Sequence, residues 1–168
     1  MESRSKIFGH PAHQILIVFP LGLLFTAVVF DGLHAAGKSE KQAEVADALI
    51  GAGLIGGAVA APFGLWDWLA IPEGTRAKEI GRWHGLGNAV VLGLFGASWL
   101  LRRKSPQKPG AVPIALSVAG AGLAMVTGWL GGELVDRLGV GVDDGAHLDA
   151  PNSLSGLPAD ETPELEMT

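Results

Sequence analysis

Cysteine is absent from the 168 residues, which excludes disulfide frameworks, thiolate zinc sites, iron-sulfur clusters and covalently attached c-type haem together. Any metal or haem must therefore be held by His, Met or carboxylate. Charge is scarce: 17% of residues are Asp, Glu, Lys or Arg, while 48% are apolar and the mean hydropathy is +0.35. A soluble domain carries charge on roughly a quarter of its residues, so this chain lacks the polar groups to coat a water-facing surface and reads as an integral membrane protein. The net charge of −5 does not describe that surface. It comes largely from Asp143, Asp144, Asp149, Asp160, Glu161, Glu164 and Glu166, gathered near the C-terminus. A basic patch interleaved with aromatics is lacking, which removes nucleic acid as a partner. So are a nucleophile elbow, a phosphate-binding glycine loop and a metalloprotease helix motif, and nothing assigns enzyme activity.

What is present is four apolar runs. A crossing takes about 20 mostly apolar residues, because the hydrocarbon core is roughly 30 Å thick and a helix rises about 1.5 Å per residue. Ile15 to Phe30, extending from His13 to His34, is the first, and Ala48 to Leu65, running on through Trp68, is the second. Trp83 to Leu101 and Gly110 to Gly132 are the third and fourth. The links Gly37 to Glu44, Ile71 to Gly81 and Arg102 to Lys108 are short and polar, so consecutive spans pack antiparallel. The expected fold is all-α: an integral membrane four-helix antiparallel bundle over residues 1–142, followed by an acidic, mostly disordered tail at 143–168 whose Pro and acid content leaves little surface to bury. The first run is expected to stay as a span rather than be cleaved as a signal, and Pro20 to bend it.

Glycine supplies the packing signal, with Gly53/Gly57 and Gly128/Gly132 forming small-x-x-x-small pairs that serve the bundle itself or a homo-oligomer seam. An even number of spans puts both termini on one side of the bacterial inner membrane. The dense cluster at Arg102, Arg103, Lys104 and Lys108 abuts a span end, which by the positive-inside rule places both termini outside.

Polar residues converge at one membrane face. His10 and His13 enter span one, Trp66, Asp67 and Trp68 leave span two, Trp83 and His84 enter span three, and Trp129 and Glu133 leave span four. The tryptophans form an aromatic belt on the simplest reading, and Glu133 with Arg137 a terminal ion pair. Asp67, set between two tryptophans, should turn inward to a donor. His84 and Asn88 share a helix face. His13 and His84 hold matching places in the two hairpins, as in two parallel repeats about an axis along the membrane normal.

The segments Gly9-His10-Pro11-Ala12-His13, Phe19-Pro20-Leu21-Gly22, Gly64-Leu65-Trp66-Asp67-Trp68-Leu69, Gly74-Thr75-Arg76, Gly128-Trp129-Leu130-Gly131-Gly132-Glu133-Leu134 and Gly139-Val140-Gly141-Val142 resemble the bacterial four-span membrane proteins catalogued as domain of unknown function 2231. The resemblance covers roughly residues 7 to 142. Gln14 stands where the family often repeats a proline after histidine. Some relatives carry a fused Rieske domain, so the resemblance implies a membrane partner to electron transfer in those relatives; a Rieske centre itself needs cysteines this chain lacks.

Three functions remain open. One is an accessory or assembly subunit without chemistry, its partners the lipid bilayer and another membrane or redox protein. Another is a b-type haem carrier, with His13 and His84 as axial ligands and Arg76 or Arg82 pairing with the propionates. The third is a metal or proton site built from His10, His13, Asp67, His84 and Glu133.

Overall fold

The computed structural model describes residues 1–161. A two-strand hairpin of β1 (Lys6–Ile7) and β2 (His10–Pro11) comes first. It is followed by α1 (Ala12–Leu16), α2 (Val18–Gly37), α3 (Glu40–Ala70), α4 (Arg76–Arg102), α5 (Ala111–Gly132) and one π-helical turn, Glu133–Arg137. With α1 and α2 taken as one span, the four spans are 26, 31, 27 and 27 residues long, each enough to cross a bilayer. The expected all-α, four-span antiparallel bundle is the fold. The β-hairpin was not expected; it turns through Phe8 and Gly9 at φ 51° and 82°, a step for which only the glycine is free of steric cost.

The helices outrun the apolar segments because their ends are capped in the polar zone. Ser39, with extended backbone, precedes α3, and Glu40 in the first turn complements the helix dipole. Thr75 Oγ1 accepts from Lys78 N–H at 3.1 Å to start α4. The links therefore shrink to residues 38–39 and 71–75. Between α1 and α2 the helix is interrupted at Ile17, one turn before Pro20, which has no N–H for the Leu16 carbonyl.

Helix α2 packs along α3 and α4 along α5; the two hairpins then meet through α3 with α4 and α2 with α5. This leaves α2 and α4 on one diagonal. The core comprises Leu24, Ala27, Ile50, Val91, Phe95, Ala121 and Ala124.

The two hairpins repeat each other in register. Leu24 stands to α2 as Phe95 does to α4, and the buried α3 positions Ala46, Ile50, Gly53, Gly57 and Ala60 correspond to Pro113, Ser117, Gly120, Ala124 and Thr127, all buried on α5. Contacts match as well as burial. A Cβ on Gly53 would sit 2.6 Å from Leu24 Cδ2, and one on Gly120 would sit 2.8 Å from Phe95 Cε2. Gly53 and Gly57 thus pack inside the bundle as expected, whereas Gly128 has no neighbour within 4 Å and Gly132 meets only Asp136. The inner face of α5 runs through Gly120, Ala124, Thr127 and Gly131, and Gly128 lies outside it.

Residues 143–161 form turns without helix or strand. Lys6 Nζ meets Asp143 Oδ1 at 2.5 Å, and the Ser153 hydroxyl lies 3.3 Å from His10 Nε2. Bonds to Asp143 and then Glu2 raise the Lys6 pKa, so this tie holds through neutral pH and is lost only above lysine's ordinary range. Such exposed pairs contribute little. Pro163, Glu164 and Glu166 lie outside the described residues. A chain stopped after Val142 is expected to insert and to unfold within a few degrees of the full protein in detergent; loss of the inserted form would show that the tail is part of the domain.

Candidate functional site

His13 lies on α1 and His84 on α4, on diagonal helices near the same end of the bundle. His13 Nδ1 lies 3.0 Å from the Ala60 carbonyl oxygen of α3, and His84 Nδ1 lies 2.8 Å from the Thr127 carbonyl oxygen of α5. A carbonyl only accepts, so each ring donates from Nδ1, and in the neutral form that leaves the lone pair on Nε2. The ring seats are glycines: a Cβ at Gly64 would come within 2.8 Å of the His13 ring, and one at Gly131 within 3.0 Å of the His84 ring. Ala60 with Gly64 and Thr127 with Gly131 are repeat mates, so the histidine seats are built twice from one plan.

The two rings are neighbours in an edge-on arrangement, with centroids 6.3 Å apart and planes at 85°. His84 Nε2 takes a hydrogen bond from Asn88 Nδ2 at 3.1 Å, and Asn88 Oδ1 accepts from Thr127 Oγ1 at 2.9 Å. The i,i+4 relation of His84 and Asn88 is thereby realised as a bond. Among the described residues, His13 Nε2 has no hydrogen-bond partner.

The other proposed ligands are elsewhere. Asp67 is buried and turned inward as expected, but both its oxygens take the Ser3 hydroxyl, at 2.9 and 2.8 Å, and Oδ1 also takes the Arg4 N–H at 2.8 Å. Glu133 pairs with Arg76 at 2.5 Å rather than with Arg137. His10 is exposed beside Ser153. Among the described residues no three His, Asp or Glu side chains gather as a metal would need, so the single cluster of His10, His13, Asp67, His84 and Glu133 does not form. Arg82 is exposed and lies 5.6 Å over the Trp83 ring.

Trp66, Trp83 and Trp129 face outward and are more than half exposed, as a belt requires. Trp68 turns in: its indole N–H donates to the Lys78 carbonyl at 3.1 Å, and Lys78 Nζ returns a bond to the Trp68 carbonyl at 3.1 Å.

At the opposite end lies a network that the sequence reading missed. Arg102 is 1% exposed and Asp31 0%. The guanidinium grips the carboxylate with both Nη atoms, at 2.7 and 2.6 Å, while Ser98 and Ser117 hydroxyls accept from Nε and Nη2 at 3.2 Å each. Asp31 follows His13, and Arg102 follows His84, by 18 residues, which is five turns at 3.6 residues per turn. That shared interval was the available signal. Arg102 therefore belongs to the core and not to the basic link.

The family model described as "Predicted membrane protein (DUF2231)" matches residues 9–144. The chain belongs to that family. Comparisons with curated proteins and with solved structures give no match. The matched span contains both histidine seats, the Asp31–Arg102 pair, Asp67 and Glu133, so the repeated architecture lies within the family's own extent.

Proposed function

We propose that the protein is a membrane-embedded b-type haem carrier in which His13 and His84 would hold the haem iron. The observation carrying this is the donor set: two imidazoles with centroids 6.3 Å apart, each with Nδ1–H fixed on a backbone carbonyl, and among the described residues no group of three His, Asp or Glu that would hold a metal by itself. A bare zinc ion wants about four protein or water ligands, whereas haem brings four nitrogens of its own and asks the protein for two. His13 and His84, with centroids 6.3 Å apart, are the residues that would hold the iron. The carbonyl acceptors are the outer-shell partners that orient a ligating histidine. When bound, haem supplies one-electron redox chemistry.

The chain's own part is positional. Gly64 and Gly131 let the rings lie against α3 and α5, the carbonyls of Ala60 and Thr127 fix their tautomer, and Asn88 holds His84 Nε2 and must turn away for that nitrogen to ligate. Arg76 reaches the same bundle end, though Glu133 neutralises it, and Arg82, exposed and without an ion pair among the described residues, would meet a propionate. With Arg103, Lys104 and Lys108 toward the cytoplasm, this site lies near the outer face of the inner membrane, where the redox partner would dock.

The test is the ferric electron paramagnetic resonance spectrum of protein purified after growth with added haem. Expected is a low-spin signal of the large-g type that crossed imidazole planes give. A high-spin signal, or none from folded protein, overturns the reading and leaves the histidines as packing groups of an assembly subunit.

A further inference from the structure

The two halves of the bundle are close copies, and the contacts they repeat lie inside one hairpin. His13 binds the Ala60 carbonyl of its own hairpin and His84 the Thr127 carbonyl of its own. Gly53 meets Leu24, and Gly120 meets Phe95, in the same way. These contacts leave the inner face of a hairpin nearly as well suited to a second copy of itself as to its mate. In a bilayer that ambiguity matters, because spans insert before they pack and lipid gives apolar side chains no reason to prefer one helix over another.

Charge is what distinguishes the two faces. Among the described residues three ion pairs cross from the α2–α3 hairpin to the α4–α5 hairpin: Asp31 with Arg102 at 2.6 Å, Asp47 with Arg103, and Glu40 with Lys108 at 2.9 Å. In each the acid belongs to α2 or α3, and the base to the end of α4 or the link that follows it. The enclosed pair, Asp31 and Arg102, occupies positions that are themselves repeat mates, and their surroundings differ to match. Ser98 and Ser117 accept from the guanidinium. The mates of those serines, Ala27 and Ile50, are apolar and wholly buried, so among the described residues the Asp31 carboxylate takes its hydrogen bonds from Arg102 alone.

We propose that these pairs are a recognition code, which makes the inner face of α2–α3 a docking surface for the α4–α5 hairpin of a second copy of this chain and closes it to the α2–α3 hairpin of that copy. Two α2–α3 hairpins packed together would enclose two carboxylates without a donor, and two α4–α5 hairpins would enclose two guanidiniums without a carboxylate; each leaves buried charge unpaired. Unlike hairpins from two chains reform all three pairs, which is the arrangement of an exchanged dimer. In the unaltered protein the short link 71–75 holds the exchange within one chain, with Lys78 Nζ tying the Trp68 and Ile71 carbonyls at 3.1 and 3.2 Å.

The experiment uses the full chain with charge reversals. Asp31→Arg alone and Arg102→Asp alone each set like charges in the enclosed site and are expected to lose folded, inserted protein at least about tenfold. Both changes in one chain should restore the folded monomer severalfold over either single variant. Made together in one cell with different tags, the single variants should rescue each other, since the altered hairpin of each meets the altered hairpin of the other. Native mass spectrometry of protein drawn out through both tags should then show a dimer holding one chain of each kind. Single variants that fold alone like the unaltered protein, a doubly changed chain no better than the single ones, or co-produced single variants that yield no mixed dimer overturn the proposal.

Discussion

Replacing Asp31 or Arg102 singly by Ala is expected to cost about 3–5 kcal/mol, the range for breaking a buried ion pair by removing one partner. The pair is fully enclosed and bidentate, and it joins helices on a diagonal of the bundle, so the surviving charge has no water to turn to. Ser98 and Ser117 cannot replace a carboxylate, since their hydroxyls are already engaged with each other at 2.8 Å and with the Pro113 carbonyl. The double change Asp31→Leu with Arg102→Met removes both charges together and should cost less than either single change. Thermal unfolding in detergent checks this. Single variants that unfold with the parent protein would show that water reaches the pair.

A second large effect is expected at the repeat mates Gly53 and Gly120. A Val at either position adds a branched side chain where even a Cβ would approach a neighbour closer than 3 Å, Leu24 in one hairpin and Phe95 in the other. Overpacking of this kind costs about 1–3 kcal/mol. The ring of Phe95 is wholly buried and has fewer ways to move than Leu24, so Gly120→Val should lose more. Gly128→Val, which faces open space, should change stability little. Equal behaviour of Gly120→Val and Gly128→Val would contradict the assigned inner face of α5.

Much of this fold was legible because a membrane span announces itself by length and composition: all four crossings, the break before Pro20 and the inward turn of Asp67 follow from counting apolar residues and from the cost of unpaired polar groups. The shared depth of His13 and His84 was expected from their matching places in the hairpins, and the rings lie 6.3 Å apart. Helix ends were less legible, since α3 starts after Ser39 and Thr75 caps α4 within segments that composition alone reads as links. The charged pair escaped for a related reason. Arg102 opens a basic run, and only the helical interval from His84 shows that it shares the inner face with Asp31. The acids misled in the opposite direction, because Asp67 and Glu133 share depth with the histidines but are claimed by Ser3 and Arg76, partners no spacing rule connects to them. In the repeat Glu133 corresponds to Trp66, so the two acids are not mates.

The most direct measurement of the histidine pair is the haem bound per chain, by pyridine haemochrome assay, in the unaltered protein and in His13→Ala and His84→Ala made with haem supplied. Expected is one haem per chain in the unaltered protein and essentially none in either variant, with both variants still inserted and cooperatively unfolding. An unaltered protein that folds without haem under those conditions, or a variant that keeps its haem with one of these histidines gone, would contradict the assignment of His13 and His84 as the two ligands of a single site.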